Sequence, residues 1–120
     1  MNTTDHIPAR RIKQARKASG MSQRQLGIAA GLDPFMASTR INRYELGVHK
    51  PDYLTARRLA CCLDVPVAFL YCDDDELAEM LLMLHRLPEA VRRDALQKIE
   101  DLSDDDEPPP GAADDLPAIR

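Results

Sequence analysis

Apolar residues along the chain recur at intervals of three and four, in short blocks that glycine, proline and aspartate separate. Ile12 and Ala15 mark the inward side of a first helix over 9–19, with Arg10, Arg11, Lys13 and Lys17 around them. Pro8 suits its first turn and Gly20 its end. Ser22, with Gln25 three residues on, forms a capping box, which opens a short second helix over 23–30 before Gly31. Asp33 and Pro34 offer a cap and a first-turn residue, so a third helix is expected from there to Tyr44 or Glu45, closed by Gly47. After the loop GVHKP, Ala56, Leu59, Ala60 and Leu63 line one face of a fourth helix over 52–63. VPVAFLY supplies a short fifth helix, with Val67 and Leu70 expected to close the core.

A second unit is expected from the acidic run DDDE, placed where a helix N-terminus favours negative charge. A sixth helix over 75–86 has Leu77, Met80, Leu81 and Leu84 on one side, while Leu82 and Met83 spill onto another. Pro88 interrupts the pattern, and a seventh helix over 89–102 carries Val91, Ala95, Ile99 and Leu102 in a narrow stripe. Two short helices cannot bury this much leucine and methionine alone, so they must pack on the first domain or on another copy of themselves. Residues 103–120, with six acids and four prolines, read as a disordered acidic tail. The predicted organisation is all-α: a flexible arm (1–8), a helical domain (9–72), a helical dimerisation or interaction segment (73–102) and the tail (103–120).

Composition agrees with packed helices. The chain has 120 residues, no Trp, three Tyr and two Phe, so its core must come from Leu, Ile, Val, Ala and Met. Charge changes the picture more. The formal net charge is −4, yet residues 1–72 hold eleven Lys and Arg against five Asp and Glu, and residues 73–120 hold five against fifteen. A basic half joined to an acidic half is the asymmetry of a nucleic-acid module with an acidic appendage, although ordinary charged surfaces give similar counts.

Other chemistry is sparse. MNTTDHIPARR is unlike a signal peptide, and no segment approaches the roughly 18 apolar residues of a membrane span, so a cytoplasmic protein with no membrane partner is expected. Cys61, Cys62 and Cys72 make neither a disulfide framework nor metal spacing; they read as small buried or half-buried residues, with redox sensing as the alternative. His6, His49 and His85 are scattered, and the DDD runs suit solvation or helix capping. With no phosphate loop and no nucleophile–base arrangement, no enzyme activity, cofactor or metal is expected.

The third helix carries the most informative chemistry. At about 100° per residue, Ala37, Ile41 and Tyr44 fall together as a narrow inward seam. Met36, Thr39 and Arg43 lie opposite, with Arg40 and Asn42 on the flanks. Such a helix fits a plain solvated surface. It also fits a DNA groove, where Arg bridges guanine O6 and N7, Asn pairs with adenine and a threonine methyl meets the thymine methyl.

Arg16 to Gly20, MSQRQLG, INRYELG, Pro51 and LACCLDV, in that order over about 9–71, resemble the Cro/cI-type (xenobiotic-response-element-type) helix-turn-helix regulators. The resemblance implies a five-helix lambda-repressor-like DNA-binding domain, here followed by a short C-terminal helical hairpin and the acidic tail. It places the second helix across the DNA backbone and the third in the major groove. It assigns Gln23 to a phosphate, Ser38, Thr39 and Arg43 to bases, and Arg40 to phosphate, with Asn42 beside them. His49 and Lys50 in the loop approach the backbone, and Arg16 pairs with Glu45 to tie the first helix to the third.

The sequence departs from that family at two places. Gly27 stands where alanine is usual, which costs about 1 kcal/mol in a helix interior unless close packing needs it. About four extra residues lie between Gly31 and Ile41, and the expectation is one added turn at the start of the third helix. That would bring Phe35 and Met36 near the groove, to touch thymine methyls or to serve as core, with core favoured for Phe35. The function implied is a dimeric regulator, a repressor of a pseudo-palindromic operator, with Leu81, Leu84, Val91 and Ile99 holding the homodimer. The alternative is an antitoxin or adaptor that meets a protein partner through its C-terminal helices or tail.

Overall fold

The computed structural model describes residues 6–105. Among them are seven helices and no strand: α1 (Ala9–Ser19), α2 (Gln23–Ala29), α3 (Ala37–Leu46), α4 (Tyr53–Leu63), α5 (Val67–Leu70), α6 (Asp75–Arg86) and α7 (Glu89–Asp105). The expected arm is described only from His6; there Pro8 is buried and precedes α1 directly, so its end is packed rather than free. Of the expected tail, 103–105 continue α7 and the remainder lies outside the described residues.

The helix ends follow local chemistry. Ser22 Oγ accepts the Gln25 amide at 3.0 Å while Gln25 Oε1 accepts the Ser22 amide at 2.8 Å, the reciprocal pair that satisfies two free donors at the start of α2. Asp52 Oδ1 caps α4 through the Thr55 amide at 2.8 Å. Hydrogen bonds from Thr55, by its side chain and then its backbone, hold the Asp52 carboxyl below the usual carboxylate range. Gly47 closes α3 at φ 76°, the left-handed region where glycine has no steric penalty.

One core joins the first six helices. Ile12 and Ala15 of α1, Leu26 of α2, Ile41 and Tyr44 of α3, and Ala56, Leu59, Ala60 and Leu63 of α4 are buried together. From α5 the buried residues are Phe69 and Leu70, whereas Val67 is only partly covered. The side chains that close this end are thus Phe69 and Leu70, as expected for Leu70 but not for Val67.

The chain divides into two compact units, one ending at Arg86 and the other beginning at Leu87. This places α6 with α1–α5, not in the separate segment expected from residue 73. Three contacts explain it: Ala78 is buried in the core, Leu82 packs against it, and Asp75 accepts hydrogen bonds from Arg10 and Arg11. The inward side of α6 is thus the short Ala78–Leu82 side. Of the longer stripe, Leu77 and Met80 are exposed and Leu81 and Leu84 half-buried; Met83, on the other side, is exposed as well. In the second unit α7 exposes Val91, Leu96, Ile99 and Leu102, and Arg93 pairs with Glu89 one turn before it at 3.3 Å. No helix among the described residues is long and apolar enough to cross a membrane.

Candidate nucleic-acid interface

Helix α3 is clamped from two sides, and this decides which of its residues face outward. On the α2 side, a Cβ built on Gly27 would lie 2.7 Å from the Ala37 Cβ and 2.9 Å from both its Cα and its carbonyl oxygen. Real Cβ atoms do not approach backbone so closely, so Gly27 is the residue that lets α3 begin on top of α2. The departure from alanine therefore has a packing reason.

On the α1 side a polar network fixes the other end. Arg16 donates from Nε to Glu45 Oε2 at 2.6 Å and from Nη2 to Oε1 at 2.9 Å, with its third nitrogen on the Met21 carbonyl at 3.1 Å. The Glu45 side chain is 3% exposed and that of Arg16 13%, so this bidentate pair is largely desolvated. The Glu45 hydrogen bonds hold the Arg16 guanidinium above its ordinary pKa, against the opposing effect of burial. Gln23 extends the network: its amide nitrogen donates to Glu45 Oε1 at 3.2 Å and to Asn42 Oδ1 at 3.1 Å. Arg16, Gln23, Asn42 and Glu45 therefore join α1, α2 and α3 in one chain of hydrogen bonds.

The segment before α3 differs from expectation. Asp33 and Pro34 do not start a helix. The Asp33 side chain accepts the Phe35 amide at 2.8 Å and its carbonyl accepts the Met36 amide at 2.9 Å, which closes a single turn. Helix α3 begins only at Ala37, so the extra residues form a turn rather than an added helical turn. Phe35 is not core: it is 96% exposed, and Met36 is 43% exposed. The turn closes on Asp33, and the first helical hydrogen bond of α3 runs from the Arg40 amide to the Met36 carbonyl at 2.8 Å, so Phe35 precedes the helix.

With α3 so held, Ala37, Ile41 and Tyr44 are buried, while Ser38, Thr39, Arg40, Asn42 and Arg43 are exposed. Arg40 is steadied by donation from Nη2 to the Tyr44 hydroxyl at 2.8 Å, with its guanidinium 5.8 Å from the Tyr44 ring centre. Arg40 and Arg43 join Tyr44, Thr55, Asp52 and the exposed loop residues His49 and Lys50 around a shallow concavity of about 370 Å³. Four basic or potentially basic side chains thus converge, with the Asp52 carboxylate beside them.

Other singled-out residues lie elsewhere. Leu81 and Leu84 belong to α6 and Val91 and Ile99 to α7, in different units. Cys61 is exposed and not the buried side chain expected, because it faces away from the Leu59–Leu63 side of α4; Cys62 and Cys72 are half-buried and all three thiols are free. Burial pushes the Cys62 thiol up. Among the described residues no three His, Cys, Asp or Glu side chains gather to hold a metal ion.

Sequence reasoning missed Arg11, which it set on the outside of the first helix. Arg11 is buried, donating to the Cys72 carbonyl at 2.7 Å, to Gln14 at 2.9 Å and to Asp75 at 2.9 Å, with its guanidinium 5.4 Å from the Phe69 ring centre. The signal that marks it is the acidic run 73–75, a complementary charge at the start of α6.

A helix-turn-helix family model matches residues 12–70. The crystal structure of the transcriptional regulator BswR is 41% identical in sequence, with a TM-score of 0.78 over 82% of this chain and 98% of that one. The chain belongs to the Cro/cI-type helix-turn-helix family. No curated protein matches it. In this helix-turn-helix domain α2 and α3 are the two helices of the motif, and the exposed face of α3 is the side that the geometry leaves open.

Proposed function

We propose that this protein is a transcriptional repressor that binds double-stranded DNA as a homodimer, with α3 of each copy in the major groove. The observation that carries the reading is the rigidly seated α3, which turns Thr39 and Arg43 outward while Ala37, Ile41 and Tyr44 anchor it. Thr39, Ser38 and Arg43 serve as base readers, and Arg40, His49 and Lys50 as phosphate contacts that set register. Asn42 and Gln23 flank them. Both are engaged in the network around Glu45, so a Gln23 amide N–H reaches a phosphate only by releasing Asn42 or Glu45.

The dimer reading is supported by the apolar side chains exposed on α6 (Leu77, Met80, Met83) and on α7 (Val91, Leu96, Ile99, Leu102), with Leu81 and Leu84 half-buried beside the former. Leu81, Leu84, Val91 and Ile99 are the residues proposed to hold two copies together. Burying them against a partner is favourable at about 25 cal/mol per Å² of apolar surface.

Selection of bound sequences from random duplex DNA at fixed salt tests the proposal. The expected outcome is a site of two half-sites related by a dyad, their centres about 34–36 Å apart. Binding should also fall steeply with salt, since lysine and arginine contacts release counterions. No enrichment would overturn the DNA reading. A single unrepeated half-site bound by a monomer would overturn the dimer, and would leave the apolar faces of α6 and α7 to a different protein partner.

A further inference from the structure

We propose that Phe35 is a specificity-determining residue of this interface, whose ring meets the C5-methyl group of a thymine in the major groove. The inference rests on the DNA reading above and adds to it a contact from the inserted turn.

Among the described residues Phe35 is the most exposed of the large apolar side chains, at 96%, and it is not a loose residue. Its amide is held by Asp33 Oδ1, the next amide is held by the Asp33 carbonyl, and Pro34 restricts the backbone between them. A fixed turn therefore projects an aromatic ring into solvent. That turn immediately precedes α3, and recognition helices contact bases chiefly with their N-terminal residues. Met36 continues the same trend: at intervals of three and seven it shares the outward face with Thr39 and Arg43.

The chemistry selects the ligand. Of the base edges in the major groove, only that of thymine presents an apolar group; the others offer hydrogen-bond donors and acceptors that an aromatic ring cannot satisfy. A protein partner fits less well. Phe35 and Met36 are bracketed in sequence by Asp33, Ser38 and Thr39, all exposed, rather than set in a wide apolar patch.

The test uses the full chain and the duplex recovered by selection, with each thymine replaced in turn by uracil, which removes only the methyl group. At one symmetry-related pair of positions the wild type should lose about fourfold in affinity per half-site, the value of about one buried methyl group. Phe35→Ala should bind the thymine and uracil duplexes equally at those positions, and Phe35→Leu should keep part of the discrimination. All three proteins should melt at the same temperature, since the ring contributes nothing to the core. If Phe35→Ala retains the wild-type thymine preference at every position while still binding the duplex, this inference falls and the DNA reading stands. If the wild type binds no duplex at all, both fall.

Discussion

The arginines of α1 and those of α3 come from one basic stretch of sequence, yet the fold uses them in opposite ways. Arg11 is 2% exposed and its donors end on the Cys72 carbonyl, Gln14 and Asp75; Arg10 reaches the same Asp75 carboxylate at 2.9 Å, and Arg16 is engaged with Glu45. Arg43 and Arg40 project from the outward face of α3 beside Lys50 and His49. Positive charge in this half of the chain is therefore of two kinds, one that holds helices together and one that faces outward around a concavity. The difference follows from what lies within reach: Asp75 and the Cys72 carbonyl for Arg11, Asp75 for Arg10 and Glu45 for Arg16, against the Tyr44 hydroxyl alone for Arg40 among the hydrogen bonds of the second group.

The largest effect expected on the engaged side is at Arg16. Arg16→Met should cost about 3–5 kcal/mol in urea unfolding, because it leaves the buried Glu45 carboxylate without its cation. A cost under about 1 kcal/mol would mean that the pair does not hold α3 in place. Arg11→Met should follow at about 2–3 kcal/mol, the loss of charge-assisted hydrogen bonds to a carbonyl and a carboxylate. Neither value should depend on DNA.

On the outward-facing side, Gly27→Ala sharpens the account of how α3 is seated. Alanine is the better helix former, so propensity alone favours the variant by about 1 kcal/mol. The clash with the Ala37 backbone should reverse the sign and leave a net loss of about 1–3 kcal/mol in the same unfolding measurement. A stabilised variant would contradict the close approach.

The smallest effect concerns pH. Hydrogen bonds from Arg11, then from Arg10, hold the Asp75 carboxyl below the usual carboxylate range. A carboxyl whose folded pKa is lowered stabilises the fold above its unfolded value of about 3.9, and loses that contribution as pH falls through the lowered folded value. The difference in urea midpoint between wild type and Asp75→Asn should thus shrink as acid is added below about pH 4. A difference independent of pH would show that the pairing contributes nothing.

Much of the fold was legible in the pattern of residues, and the reasons are local. The capping box at Ser22 and Gln25, the glycines after α1 and α3, and the four-residue apolar stripe of α4 each act within one helical turn, so the sequence displays them directly. The seam of Ala37, Ile41 and Tyr44 was likewise readable as a helical period. What escaped was decided by a local turn or by distance. Asp33 looked like a helix cap, but its side chain and carbonyl together close a turn that exposes Phe35. Arg11 looked like a surface residue because its partners, Cys72 and Asp75, lie more than sixty positions away. The apolar stripe of α6 was visible, yet the side turned inward is the shorter one through Ala78 and Leu82, which joins the core built by residues far away in sequence, Ile12 and Leu26 among them.

The claim that most depends on this architecture is that the outward face of α3 reads a duplex, and Arg43 tests it most directly. Affinities of wild type and Arg43→Ala should be measured at one salt concentration for the selected duplex and for a scrambled duplex of the same length. The expected result is that Arg43→Ala loses about 1–3 kcal/mol per half-site of preference for the selected sequence while its binding to the scrambled one falls much less. Equal losses on both duplexes would contradict the account and would assign Arg43 to the phosphates instead.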